Sequence, residues 1–311
     1  MVVLLAVAGW GFRYIPQQFM PLLNKQYFSV DMWLPEGTRI EESEKQAAQL
    51  TEYLQTFDGV KKVSTYIGQT PPRYYLANAA YGPQPNYAQC LIEAETPEKS
   101  RELQEILYHK LPEKFQDALI RVNSFEINSI PQALIEARFC GDAPAVLDSL
   151  TNIAIGIMRK NPKVLNARNE WGNMAMMIKA GYDPVKAGRL NIGRSDMMNA
   201  VKSVSDGTVI GIYRDNDKKV PVLLRTKEEA SWDTEKLEDL QIWNGSNSAP
   251  LGQVTDGINI AWEYPLVRTY NRQLSMAAQC DVKRGHTMKE VHAEIREEIE
   301  NIKLPEGYSF F

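Results

Sequence analysis

From Tyr27 to Leu34 the chain alternates, with Phe28, Val30, Met32 and Leu34 on one face. Period-two alternation predicts a half-buried strand. Pro35-Glu36-Gly37 ends it, and Thr38-Arg39-Ile40-Glu41 has the spacing of a capping box. Behind it, Ile40, Ala47, Leu50, Leu54 and Phe57 fall on one helical face. Strands are predicted at 60–67, 87–95 and 118–127. A long loop spans 68–86, and a second helix opens on Thr96-Pro97, with proline at its favoured first position. The order is β-α-β-β-α-β, the split βαβ or ferredoxin-like unit.

A second such unit starts near Leu134. It has a strand at 134–140, a helix at 143–160 with Leu147, Leu150 and Ile157 inward, and a strand at 164–169. The pattern then breaks off and resumes about a hundred residues later. There a strand at 274–282 precedes a helix at 287–302, which opens on a second capping box, Thr287 to Glu290. A strand at 308–311 follows. The interruption, about 172–266, has its own pattern: a hairpin of 208–213 with 220–225, and helices at 195–204 and 234–240. The expected fold class is α+β: two βαβ-type units, the second carrying a small α+β insertion.

Met1 to Phe12 is apolar throughout. As a helix it would reach about 18 Å, against about 30 Å for a bilayer core. It reads as the tail of a spanning helix, with a buried first element as the alternative. Composition adds little: 311 residues, 44 % apolar, 24 % charged and a net charge of -4. That excludes a disordered or polytopic chain, and the absence of a basic patch argues against a nucleic-acid binder. The three cysteines, Cys90, Cys140 and Cys280, stand far apart in apolar strand-like contexts and read as buried thiols. His286 and His292 are six apart, on different faces of a helix, unlike an i, i+4 zinc pair. No nucleophile elbow or phosphate-cradling loop is present. An enzyme is disfavoured, and no cofactor or metal is expected.

An ordered series of short motifs carries a resemblance. It runs from Ile15-Pro16 and Phe19-Met20-Pro21 through Leu34-Pro35-Glu36-Gly37-Thr38 and Ile67-Gly68. It continues through Val185-Lys186-Ala187-Gly188-Arg189-Leu190-Asn191-Ile192 and Val209-Ile210-Gly211 to Arg268-Thr269-Tyr270-Asn271 and Leu304-Pro305-Glu306-Gly307-Tyr308. The chain resembles the second large periplasmic loop of a resistance-nodulation-division efflux transporter of the AcrB-like multidrug branch. The resemblance implies a layout: the end of a transmembrane helix and lead-in at 1–23, and a first porter subdomain at 24–129. A discontinuous second porter subdomain follows at 130–171 and 267–311, with a docking (funnel) subdomain inserted at 172–266. It further implies a proton-driven permease of the bacterial inner membrane that exports amphiphilic molecules. The expected partners are the rest of the permease (its helices and first periplasmic loop), two further copies in a homotrimer, a periplasmic adaptor, an outer-membrane channel and hydrophobic small molecules. An anchored binding or adaptor module is the alternative, as is a metal exporter. For the metal exporter, Met174, Met176, Met177, Met197 and Met198 are the relevant residues, and they read as core.

The resemblance also points to a binding surface. The 68–86 loop takes the place of the family's switch loop, and Tyr74, Tyr75 and Tyr81, with nearby Tyr87, would give it large rings with polar handles. Packing of these rings on their own loop is the competing reading. Two pocket phenylalanines of the family fall at Ser64 and Gln89, which suggests a different substrate range; Tyr66 lies beside the first. Phe125 and Ile127 match alternating apolar residues of the entrance cleft, and Arg168 lies one residue from a cleft arginine.

Overall fold

The computed structural model describes residues 25–72, 81–125, 133–205, 207–224, 234–245 and 247–311. The apolar lead-in, Tyr74, Tyr75 and Ile127 lie outside them.

Strand β1 (Tyr27–Trp33) runs into helix α1 (Ile40–Gln55), then β2 (Val60–Ile67), β3 (Tyr87–Ala94), helix α2 (Pro97–Lys114) and β4 (Leu119–Ser124). The strands form one antiparallel sheet in the order β2-β3-β1-β4. Both helices cover the same face. Phe28, Val30 and Met32 of β1 meet Leu50 and Leu54 of α1 and Leu103, Leu107 and Leu111 of α2, all buried. At about 25 cal/mol per Å² of apolar area, this face stabilises the unit. The first predicted capping box does not form. The Thr38 hydroxyl donates to the Pro35 carbonyl at 2.6 Å, and α1 starts at Ile40 with no side-chain cap. The Pro35-Glu36-Gly37 turn outcompetes the cap because Gly37 takes a φ of 87°, open to glycine, and brings Thr38 back over Pro35. Ile40 is exposed, and Ser43 is buried on that helix instead. Thr96 does cap α2, accepting from the Lys99 amide.

The next elements are β5 (Ile135–Gly141), α3 (Pro144–Lys160) and β6 (Val164–Asn169). The chain then enters a separate compact unit, 175–263. Within it, β7 (Ala175–Tyr182) is followed by α4 (Pro184–Arg189), α5 (Arg194–Ser205), the hairpin β8 (Thr208–Asp215) and β9 (Lys218–Leu224), and α6 (Thr234–Glu238). Strands β10 (Gln241–Asn244), β11 (Asn247–Pro250) and β12 (Thr255–Glu263) complete it. Strand β12 pairs antiparallel with β7, and Ala187, Ile192, Met197, Ile242, Leu251 and Val254 form the unit's core. Of the methionines expected in a core, only Met197 is buried. Met174, Met176 and Met198 are exposed, because Met176 sits on the open side of a two-stranded sheet and Met198 follows the inward Met197 by one helical position.

The chain returns through β13 (Arg268–Tyr270), β14 (Gln273–Val282), helix α7 (Met288–Glu300) and β15 (Ser309–Phe310). Strand β14 pairs with β5 and, on its other edge, first with β13 and then with β6; β15 pairs with β5. The order β6-β14-β5-β15 is the same split βαβ arrangement as in the first sheet. Its core joins Phe139, Met276, Leu147, Leu150, Val291 and Ile295. Here the predicted capping box forms its first half, with Thr287 accepting from the Glu290 amide at 3.2 Å. The two βαβ units belong to one compact body, 25–174 with 264–311 among the described residues. The three cysteines are free and buried. No described helix is long and apolar enough to cross a membrane.

Candidate functional site

With one face of each strand committed to the helices, the alternate residues of the first sheet face away from them. Antiparallel register lines these up across all four strands. Tyr66 lies opposite Gln89, Gln89 opposite Asp31, and Asp31 opposite Arg121. The adjacent row is Ser64, Leu91, Ser29 and Asn123. A carboxylate stands at the centre of this face. Asp31 accepts from the Tyr87 hydroxyl at 2.9 Å, from Gln89 Nε2 at 2.6 Å and from Asn123 Nδ2 at 2.6 Å. Burial raises its pKa above the ordinary aspartate value, and the Gln89, Tyr87, Arg121 and Asn123 interactions offset this only in part. Among the described residues, the Gln89 Oε1 atom is buried without a hydrogen-bond partner.

The second sheet presents a matching polar face. Gln279 of β14 lies opposite Arg168 on one side and Glu136 on the other, and donates to Glu136 at 2.8 Å. The register slips between Gln279 and Asp281, where β6 carries one extra residue. Asn166 takes up the slip at a φ of 51°, a left-handed conformation that asparagine tolerates. This bulge aims Arg168 at Asp281, 3.1 Å away. Arg121 reaches the other Asp281 oxygen from the first sheet at 3.2 Å. One carboxylate thus holds two guanidinium groups and ties the sheets together. Burial pulls the Arg168 pKa below the usual arginine value, and Asp281 only partly restores it.

Beside this seam lies a cleft of about 890 Å³. The β1 end and the following turn (Trp33 to Glu36) line it with Tyr81, three prolines and the exposed Asn152, Gly156 and Arg159 of α3. Those three helix residues follow i, i+4, i+7 spacing and so form one stripe. Trp33 and Tyr81 meet edge to face with ring centroids 5.8 Å apart, and Tyr87 stacks with both. Arg168, Gln279, Glu170 and Arg268 also line the cleft. Glu170 is spoken for: Arg138 grips it through two nitrogens at 2.9 and 3.1 Å, and Arg268 lies at 3.3 Å.

Of the candidates chosen from the sequence, Tyr81 and Arg168 line the cleft. Tyr87 and Gln89 are buried in the polar face behind it, and Ser64 and Tyr66 lie in the same rows on β2. Phe125 is buried just beyond β4 and does not line the cleft. Asp31, Arg121, Asp281, Trp33 and Arg159 were missed. A signal was available for two of them: Asp31 and Asp281 are each the one charged residue of a largely buried strand.

Two split βαβ units packed in one body beside a cleft, with a small α+β unit inserted in the second, define an α+β module of the porter type. A model of the AcrB/AcrD/AcrF family matches residues 1–311, and the chain belongs to that family of resistance-nodulation-division transporters. The family is one of inner-membrane efflux pumps, not of enzymes. Two crystal forms of a protein described as a heavy metal efflux pump share the fold, with TM-scores of 0.76 and 0.73 at 14% identity in each case. The alignment covers 99% of this chain and 33% of theirs, so the chain spans about a third of their length. No curated protein matches.

Proposed function

We propose that this chain is the periplasmic substrate-binding and docking portion of a proton-driven multidrug efflux permease that exports amphiphilic small molecules. The observation that carries this reading is the aromatic- and proline-walled cleft of about 890 Å³ in the body formed by the two βαβ units. Small-molecule sites occupy about 300–1,000 Å³ and combine apolar walls with a few polar groups. The units at 24–129 and at 130–171 with 267–311 would act as porter subdomains, and the insertion as the docking subdomain. Cycling would move the porter units against each other in a hinge-like way. The proton path would lie in membrane helices elsewhere in the permease.

The β8–β9 hairpin supports the assembled state. Val209, Ile210, Ile212, Tyr213, Val222 and Leu224 are all exposed on it. So much apolar surface on one ribbon fits coverage by a neighbouring copy in a homotrimer. An adaptor and an outer-membrane channel would complete the pump.

Metal export is the second reading, favoured by the fold shared with proteins described as heavy metal efflux pumps. The complete permease, expressed in a host stripped of its own pumps, separates the two. Raised tolerance to dyes and detergents is expected. Raised tolerance to zinc or copper salts alone would overturn the multidrug reading.

A further inference from the structure

Within this reading of the cleft, the charged residues that line it narrow the substrate class. Its cations are Arg121, Arg159, Arg168 and Arg268, and among the described residues no lysine or histidine lines it. The chain as a whole has 19 lysines and 16 arginines, so the preference belongs to the cleft. Guanidinium groups are planar, weakly hydrated and forked, which suits them to carboxylates and sulfonates and to contact with aromatic faces. A lysine-lined groove would offer only point charges.

Three of the carboxylates in and behind the cleft are already engaged. Glu170 faces Arg138 and Arg268, and Asp281 takes Arg121, Arg168 and the Asn166 amide. Asp31 accepts three hydrogen bonds. A cationic guest at any of these three would have to displace a partner the acid already holds. Arg159 is the contrast. It is exposed, and among the described residues it donates one N–H, to the Ala167 carbonyl at 3.3 Å. Four of its five N–H donors remain for a guest. Glu36 and Asp117, also lining the cleft, oppose an anion and set a limit on its affinity.

We propose that the cleft selects organic anions: an aromatic body against Trp33 and Tyr81, with its carboxylate or sulfonate on the arginine side, Arg159 foremost. Cationic dyes and divalent metals are then poor guests.

The test titrates the purified chain with fluorescein, a dianion at pH 7.5, and with rhodamine 123, a cation on the same xanthene ring. Binding is followed by fluorescence anisotropy up to millimolar protein. Saturable fluorescein binding is expected, about tenfold tighter than that of rhodamine 123 and weakened by raising salt from about 50 to 500 mM. Arg159→Gln should weaken it about fivefold, Arg159→Lys less, and Asp117→Asn should tighten it about twofold, all without change in thermal unfolding. If rhodamine 123 binds as well as fluorescein, or if Zn²⁺ displaces fluorescein, the anion class is overturned while the cleft stays a binding site. Fluorescein binding that Arg159→Gln leaves intact overturns the assignment to Arg159. If neither dye binds nor protects a Gly156→Cys thiol in the cleft from a maleimide, the binding-site reading falls as well.

Discussion

Asp31 shows how one residue can hold a site together at a cost to stability. Its carboxylate is buried among three donors, and its pKa is raised chiefly by desolvation. A raised acid contributes stability that is fully present below the ordinary aspartate pKa of 3.8 and is lost as pH rises through the raised value. Asp31→Asn should therefore be at least as stable as the native chain at pH 7, with its advantage shrinking as pH falls towards 4. The orphan oxygen of Gln89 gives the new amide an acceptor. Asp31→Ala removes the shared acceptor of three donors and should cost about 2–4 kcal/mol. Denaturant unfolding between pH 4 and 8 checks both. An Asp31→Asn variant less stable than native by more than about 1 kcal/mol at pH 7 would mean that the ionised carboxylate is a net stabiliser. The role of Asp31 was not legible in the sequence beyond its being the one charged residue of its strand. Its partners Gln89 and Asn123 come from strands 58 and 92 residues away, and only register brings them together.

At the scale of elements the sequence was far more transparent. A switch from period two to period 3.6 marks each strand–helix junction, and every element of both βαβ units falls within a few residues of its pattern. The second capping box was legible and the first was not, because a local turn competed for Thr38. The closing strand, β15, depends on a feature no pattern records. A Cβ on Gly141 would stand 2.1 Å from the Tyr308 ring, whose hydroxyl accepts from the Ala143 amide. The ring is fixed at both ends, so it cannot swing away cheaply. Gly141→Ala should cost about 1–3 kcal/mol, the usual range for overpacking. Tyr308→Ala in the same chain should relieve the clash, so the double variant should lose less than the sum of the two single changes. Simple additivity in thermal unfolding would show that the ring does not set the strand.

For the whole molecule, the two βαβ units share one connectivity and differ at one connection. Between the second and third strands the first unit has the 68–86 loop, and the second has the 175–263 unit. Interrupted periodicity made that insertion legible. The cleft was not, because its walls come from a strand end, a loop and one stripe of α3 that no local pattern links. Residues chosen through the family resemblance reached its edge, at Tyr81 and Arg168, and its polar backing, at Tyr87 and Gln89. The arginine preference and the Asp281 tie emerged only from the fold. The central claim is that this cleft receives the transported molecule. Gly156 allows a direct measurement, because a Cβ there meets no atom within 4 Å and the native cysteines are all buried. In cells expressing the complete permease, the maleimide labelling rate of Gly156→Cys would be measured with and without exported dye. Gly188→Cys, exposed on α4 and equally open, would be the reference. The account predicts that dye slows labelling at residue 156 and leaves residue 188 unchanged; equal rates at residue 156 with and without dye would contradict it.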